Sequence, residues 1–245
     1  GQHSQILTYT SISIDRGFIY FQINCLMHRE RSRRLARPNK KSQLGQPPMK
    51  TRIKQAARDL FIQRGLADVS YGDIAEVVNT TRANLHYHFG NKNALIEAVF
   101  QEIFDSLEEQ FQEVWAKPGL TLGQRIGLTA EDCERRFYEF NKDAKGRNPW
   151  SLSARARFEK HLLSPRIQAG ISEMSRHFED YVAHAVTLAI GAGELRPDTP
   201  VRQVVMLITP LWYFGSLLTQ HSGLNKLLDH YKAVTDTIAA AYGTH

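Results

Sequence analysis

Residues 85–92 of this 245-residue chain read Leu-His-Tyr-His-Phe-Gly-Asn-Lys. Leu85 and Phe89 stand four residues apart, which is the spacing of the buried side of a short helix. Asn91 is a preferred N-cap residue for a further helix. If Leu85 and Phe89 are buried, the side chains left on the outer face can form hydrogen bonds or stack.

The residues before this short helix predict two more helices. Apolar side chains recur at helical spacing from Ile53 to Phe61, and Gly65 follows as a C-terminal cap. Ser70, with Asp73 three residues later, has the spacing of a capping box. The predicted helices are residues 50–64, 71–78 and 82–89, with a longer fourth helix from residue 92.

Two short helices joined by a tight turn, and supported by a preceding helix, form a helix-turn-helix. The outer face of the third helix suits base edges and phosphates in a major groove, and helix N-termini favour phosphate groups. A three-helix module with solvated surface histidines is the alternative. The predicted DNA-binding residues are Ser70, Tyr71, Thr81, Arg82, Ala83, Asn84, His86, Tyr87, His88 and Lys92.

Residues 53–99 resemble the DNA-binding domain of the TetR family of transcriptional regulators. The sequence departs from the family pattern at His86, where Tyr is usual, and at the turn of residues 79–81, where Gly-Val-Ser is usual. The resemblance implies that Tyr87, His88 and Lys92 lie near the DNA backbone and that residues 82–84 read bases. It rests on Ala56-Ala57, Leu60-Phe61, Gly65, Ile74-Ala75, the run of residues 85–92, and Leu95.

Charge is unevenly distributed along the chain. The formal net charge is +6, and residues 1–48 account for it with eight basic and two acidic residues. Residues 49–94 carry seven basic and four acidic residues, whereas residues 95–117 carry six acidic residues and one basic residue. The net charge is therefore no evidence for DNA binding, although the acidic segment would help to orient the basic helices towards DNA.

Residues 1–48 differ from the rest in composition, since a β-prone aromatic stretch precedes a basic run and a Gly-Gln-Pro-Pro cluster. Three interpretations stay open. The segment is a non-native extension of a protein that starts at Met49, a disordered basic arm that adds non-specific DNA affinity, or an ordered segment packed on the body. Its apolar part is too short for a membrane span.

No strand pattern appears in residues 49–245, so the predicted fold class is all-α. We expect an N-terminal helix-turn-helix domain at residues 49–95 and a helical effector-binding and dimerisation domain at residues 96–245. The further helices are predicted at residues 122–140, 152–162, 165–190, 200–220 and 224–242.

The helix predicted at residues 200–220 is apolar on almost every side, and the helix at residues 224–242 carries an apolar stripe. A helix that is apolar all round is either buried on all sides or spans a membrane, and the dense apolar part of this helix is too short to span. We expect these two helices to pair with their copies in the four-helix bundle of a homodimer, an arrangement that the TetR resemblance also implies. A core helix of a monomer is the alternative.

The helices between residues 92 and 190 contain many aromatic side chains, and the TetR resemblance implies that they surround an effector cavity. For any single aromatic residue, a place in the core is the alternative. Arg157, Glu173 and His177 are further polar groups that could converge there. The candidate ligand-binding residues are Phe104, Phe111, Trp115, Phe137, Phe158, His161, Phe178 and Tyr181.

Two weaker signals lie in the same helices. His177, Asp180 and His184 have a spacing that is compatible with a metal site, although a solvated polar face is more typical of it. Cys133 could sense thiol-reactive compounds, although a buried structural cysteine is more typical. Two cysteines in the chain cannot form a disulfide framework.

We therefore expect a cytoplasmic, sequence-specific transcriptional regulator, a repressor that an unidentified small-molecule effector releases from its double-stranded DNA operator. The alternatives are a helical ligand-binding protein without specific DNA binding and a non-specific DNA binder that uses the N-terminal segment. The sequence has no nucleophile elbow, phosphate-binding glycine loop or His-Glu-x-x-His motif. No enzyme activity, cofactor, metal or membrane partner is predicted.

Overall fold

The computed structural model describes residues 47–244, and these residues form nine α-helices without a β-strand. The prediction of an all-α fold is confirmed. The three interpretations of the N-terminal segment concern residues that lie, apart from Pro47 and Pro48, outside the described part of the chain. The helices are α1 (Met49–Arg64), α2 (Tyr71–Val77), α3 (Arg82–Phe89), α4 (Lys92–Phe111), α5 (Leu122–Phe140), α6 (Leu152–Ala156), α7 (Pro165–Gly191), α8 (Val201–Ser222) and α9 (Leu224–Tyr242).

Caps that the sequence predicts define the helix-turn-helix. The Ser70 hydroxyl and the Asp73 side chain form a reciprocal capping box at the start of α2, and the Thr81 hydroxyl accepts from the backbone N–H of Asn84 at the start of α3. Asn79, in the turn between α2 and α3, has a φ of 53°. Asn tolerates this left-handed conformation better than most residues, so it can stand where glycine is usual.

Two groups of buried apolar residues form the core. The first is contributed by α1 to α3 and the N-terminal half of α4, but it also includes Leu152 and Ala156 of α6. The second fills the space between α5, α7, α8, α9 and the C-terminal half of α4. The domain boundary predicted after residue 95 falls within the first group, since Val99 and Phe100 also belong to it.

Helix α6 is shorter than predicted, so the prediction of a single helix over residues 152–162 is wrong. The α-helix ends at Ala156, and a 3₁₀ turn follows at Lys160–Leu162. Arg155 and Glu159 bind backbone groups at the end of α1 instead of pointing to solvent. These contacts hold the chain against α1 and interrupt the regular helix.

The junction between α4 and α5 is held by one buried arginine. Helix α4 continues into a π-helical turn at Gln112–Ala116. Arg125 is 1% exposed, and its guanidinium donates to the carbonyl oxygens of Val114, Trp115 and Lys117. It therefore satisfies carbonyl groups that the end of a helix leaves without partners.

Helix α8 packs between α7 and α9. Val204 and Ile208 are buried, whereas Met206, Phe214 and Leu217 are exposed. It is the one helix in the described residues with the length and hydropathy of a membrane span. Core helices of soluble proteins meet the same criterion, so this is weak evidence for a membrane.

Candidate nucleic-acid interface

Helix α3 presents its predicted outer face to solvent. Leu85 and Phe89 are buried against α1, α2 and α4, as their spacing predicts. Tyr87, on the opposite side, is 84% exposed, which is the largest exposure of any large apolar or aromatic side chain in residues 47–244. An exposed aromatic ring that can also hydrogen-bond is suited to contact with a nucleic acid.

His88 and Tyr87 form an edge-on ring pair on this face. Their ring centroids are 5.3 Å apart at an interplanar angle of 71°. His88 is half-buried, and its ring centroid lies 6.3 Å from that of Phe89. The neighbouring His88 ring therefore restricts the orientation of the Tyr87 ring.

His86 and Tyr71 form a second ring pair, with centroids 4.8 Å apart. The Nδ1 atom of His86 lies 2.6 Å from the carbonyl oxygen of Gly90. A carbonyl oxygen only accepts, so Nδ1 carries a proton and Nε2 is the nitrogen left for other partners. Tyr71 is 8% exposed, and its burial raises the pKa of its hydroxyl group. This burial favours a role in positioning His86 over a direct DNA contact.

Arg82 and Asn84 occupy the N-terminal turn of α3. The guanidinium of Arg82 lies against the backbone of Gly72, where a Cβ atom would come within 2.6 Å of Nη2. Gly72 was not among the predicted residues, although it allows this close approach. The amide nitrogen of Asn84 donates to the Thr80 hydroxyl at 2.9 Å, so part of its hydrogen-bonding capacity is used within the turn.

The remaining predicted residues lie near helix N-termini. Ser70 and Thr81 act as N-caps, and Ala83 is exposed without obstructing the face. Lys92 donates to the carbonyl oxygen of Ala67 at 3.3 Å. Partial burial lowers the pKa of the Lys92 ammonium group.

The predicted ligand-binding residues do not line one common cavity. Phe111, Trp115, Phe178 and Trp212 form an aromatic cluster in which the Phe178 ring is 5.0 Å from Phe111, 5.6 Å from Trp115 and 4.7 Å from Trp212. Phe137 is also 0% exposed. For these side chains the structure agrees with the alternative of a packed core.

The other predicted ligand-binding residues lie closer to the surface. Phe104 and His177 line an open groove of about 460 Å³ between α4 and α7. Glu108 of α4 accepts hydrogen bonds from the Tyr181 hydroxyl at 2.8 Å and from His177 Nδ1 at 3.0 Å, which connects α4 to α7. Phe158 is 61% exposed, and His161 is also exposed.

A smaller, interior cavity lies between α5, α6 and α8. Its volume is about 10 Å³, and its lining includes Cys133, Arg157, Trp212 and Tyr213. Burial raises the pKa of the Cys133 thiol to about 11, which does not favour a reactive thiolate. Among residues 47–244, no group of three or more His, Cys, Asp or Glu side chains is arranged to hold a metal ion.

The exposed polar helix, its capped partner helix and the supporting α1 define a helix-turn-helix protein with a helical C-terminal domain. Residues 53–99 match the family described as bacterial regulatory proteins of the tetR family. This region of the chain is therefore similar in sequence to the DNA-binding domain of the TetR family. This confirms the resemblance noted in the sequence.

Two curated relatives are transcriptional regulators by name. The chain is 35% identical over 94 residues to the HTH-type transcriptional regulator QacR of Staphylococcus aureus, over 38% of this chain and 44% of QacR. It is 25% identical over 160 residues to the HTH-type transcriptional repressor KstR2 of Rhodococcus jostii, over 64% of this chain and 72% of KstR2. The chain thus covers less than half the length of the first relative. Both names agree with the expectation that the protein is not an enzyme.

Solved structures share the fold at low sequence identity. A TetR-family transcriptional regulator from Agrobacterium tumefaciens superposes with a TM-score of 0.65 at 18% identity, over 80% of this chain and 97% of that chain. A TetR transcriptional regulator from Legionella pneumophila gives a TM-score of 0.64 at 19% identity, over 80% and 100% of the two chains. The similarity therefore extends over the C-terminal helices as well as the helix-turn-helix.

Proposed function

We propose that the protein is a homodimeric, sequence-specific DNA-binding regulator that represses transcription until a small-molecule effector releases it from its operator. The observation that carries this proposal is the outer face of α3, where Tyr87 is 84% exposed within a capped helix-turn-helix. The names of the relatives support regulation of transcription. A regulator of this type acts where the bacterial DNA is, in the cytoplasm.

The proposed DNA contacts divide by position on α3. Arg82, Ala83 and Asn84 lie in its first turn, which is the part of a recognition helix that reaches base edges. Tyr87, His88 and Lys92 lie nearer the next helix and are proposed to contact phosphates. Contacts to phosphates position the protein on DNA, whereas contacts to base edges provide the specificity.

The exposed side of α8 supports a twofold dimer. Met206, Leu207, Phe214 and Leu217 are between 40% and 64% exposed and fall within an arc of about 100° of the helix. Apolar side chains grouped in this way are typical of a protein–protein interface. The large apolar residues of α9 were predicted to face the copy of the helix, but Leu224, Leu227, Tyr231 and Ile238 are buried within the chain.

The free face of α9 combines small residues with the charged residues Lys226, Asp229, Lys232 and Asp236. Ala233, Thr237, Ala240 and Ala241 are all exposed. We propose that these small side chains let α9 approach its copy closely while α8 supplies the larger apolar contacts. Each dimer would then present two α3 helices to half-sites about 34–36 Å apart.

Control by an effector is proposed to act through α4, which joins α3 to the C-terminal domain. Displacement of α4 against α7 would change the distance between the two α3 helices. An effector shifts this equilibrium only if it binds the released geometry more tightly than the DNA-bound geometry. A coupling of about 1–3 kcal/mol would be typical.

Selection from a pool of random duplexes tests this function. The full chain should enrich a palindrome whose half-sites are centred 10–10.5 base pairs apart, or a multiple of that spacing. Enrichment of no sequence, with similar affinity for all duplexes and a steep salt dependence, would indicate a non-specific DNA binder. No measurable DNA binding would favour a helical ligand-binding protein.

A further inference from the structure

Arg157 is a half-buried arginine without an ion-pair partner among residues 47–244. Its Nη2 atom donates to the Ser175 hydroxyl at 2.9 Å, and its guanidinium carbon lies 4.6 Å from the centre of the Tyr213 ring. Its Nε atom is buried and has no hydrogen-bond partner. One hydroxyl group and one ring face therefore compensate a permanently charged group.

Two other arginines of the C-terminal domain are better compensated. Arg125 is buried, but its guanidinium donates to three carbonyl oxygens at the end of α4. Arg136, which also lines the interior cavity, lies 3.8 Å from a carboxylate oxygen of Asp132. Burial without comparable partners lowers the pKa of Arg157, and a weakly compensated buried charge of this kind is unfavourable.

The surroundings of Arg157 are aromatic. Trp150, Trp212 and Tyr213 line the same interior cavity, whose volume is about 10 Å³. That volume holds about one water molecule, so an organic ligand must displace side chains when it enters. Tyr213 is partly exposed and its ring covers the guanidinium, while its hydroxyl group lies 2.9 Å from both the carbonyl oxygen of Ser175 and the carboxylate of Glu179. A ligand that reaches Arg157 must therefore displace this ring and break its hydrogen bonds to α7.

We propose that Arg157 binds the carboxylate of an organic acid whose apolar body packs against Trp150, Trp212 and Tyr213. A planar guanidinium can bind a carboxylate through two parallel hydrogen bonds, and the orphaned Nε atom would supply one of them. That this acid is the effector rests on the function proposed above, whereas its binding can be measured without DNA.

Helix α6 connects this cavity to the helix-turn-helix. Two residues before Arg157, Arg155 donates from Nη1 to the carbonyl oxygen of Ile62 at 2.9 Å. Glu159, two residues after it, accepts from the backbone N–H of Leu66 at 2.9 Å. A ligand that opens the cavity and displaces α6 would therefore also displace the end of α1.

Calorimetry on the full chain tests the binding with matched probes. The probes are 4-phenylbutyrate and decanoate, the neutral 4-phenylbutanamide and decanamide, and the cationic 4-phenylbutylamine and decylamine. We expect at least one carboxylate to bind tenfold or more tightly than its amide and its amine. Arg157→Gln should abolish this preference, and Arg157→Lys should retain part of it because the charge remains.

Arg176→Gln is the matched control. Arg176 lies on neighbouring α7, is exposed and pairs with Asp180 one turn away, so its loss should leave the preference unchanged. Arg157→Gln should also melt at a temperature no lower than the wild type, since it removes a weakly compensated buried charge.

Three results would overturn the assignment: equal binding of amide and acid, an unchanged preference in Arg157→Gln, or no binding by either acid. The function proposed above is tested separately. Loss of operator binding with an intact preference for acids would refute DNA regulation but not the acid site.

Discussion

The outer face of α3 and the aromatic cluster of the C-terminal domain are both built from aromatic side chains, but they differ in exposure. Tyr87 of α3 is 84% exposed, whereas Phe178 of the cluster is 0% exposed. The surface proposed to bind DNA is therefore formed before DNA arrives. The interior cavity of about 10 Å³ must instead open before an organic ligand can enter. The comparison indicates that ligand binding, rather than DNA binding, requires rearrangement of the core.

The largest expected effect is on stability. Phe178→Ala should lower the free energy of unfolding by about 3–5 kcal/mol, because it leaves a cavity between Phe111, Trp115 and Trp212. Tyr87→Ala is the matched control and should change it by about 0.5 kcal/mol or less, as is usual for an exposed side chain. Denaturant titration measures both values. Equal losses of unfolding free energy in the two variants would contradict the difference in burial between the aromatic cluster and the outer face of α3.

The next largest effect concerns base reading. Arg82→Ala should weaken binding to the selected operator by about 1–3 kcal/mol, because Arg82 is proposed to contact a base edge. Binding to a scrambled duplex should weaken much less. Fluorescence anisotropy with both duplexes checks this. Equal weakening on the two duplexes would assign Arg82 to a phosphate instead.

The cap of α2 should have a smaller effect. Ser70→Ala removes the hydroxyl that accepts from the backbone N–H of Asp73 and should cost about 1 kcal/mol of stability. Ser70→Gly should cost only about a few tenths of a kcal/mol, because glycine is tolerated at an N-cap. Thermal melting of the two variants compares them. An unchanged melting temperature in Ser70→Ala would show that the capping box of Ser70 and Asp73 does not stabilise α2.

The smallest expected effect is chemical. Because burial raises the pKa of the Cys133 thiol to about 11, Cys133 should resist iodoacetamide at pH 8 in the folded protein and react in denaturant. The raised pKa means that the folded state holds this proton more tightly than the unfolded state. The corresponding stability is present below the unfolded pKa and is lost as the pH rises towards 11. Peptide mass spectrometry separates Cys133 from Cys25, and rapid labelling of folded Cys133 would support a thiol sensor.

The helix-turn-helix was predictable because its signals are local. Ser70 and Thr81 both cap the helices that their positions in the sequence predicted. Leu85 and Phe89 are buried at the predicted spacing. The bounds of α3 agree with the prediction, and those of α2 differ by one residue at its end. Such signals depend on residues within one or two turns, so tertiary contacts do not change them.

The effector region was less predictable because its contacts join distant residues. Helical spacing predicted a single helix at residues 152–162. In the structure, Arg155 and Glu159 bind the chain at the end of α1, and the helix at residues 152–162 is shorter than predicted. The stripe on α9 correctly indicated a buried face, but could not indicate whether that face packs within the chain or against a copy. Arg157 was grouped with Glu173 and His177, although the structure places it in the interior cavity and the other two in the α4–α7 groove.

The ratio of affinities for the selected operator and a scrambled duplex of equal length tests the central claim most directly. Measured by anisotropy at physiological salt, it should be about 10³ or more for the wild type, as for other specific regulators. Tyr87→Ala, with unchanged stability, should weaken binding to both duplexes. A wild-type ratio near one would contradict the account, because α3 would then not read sequence.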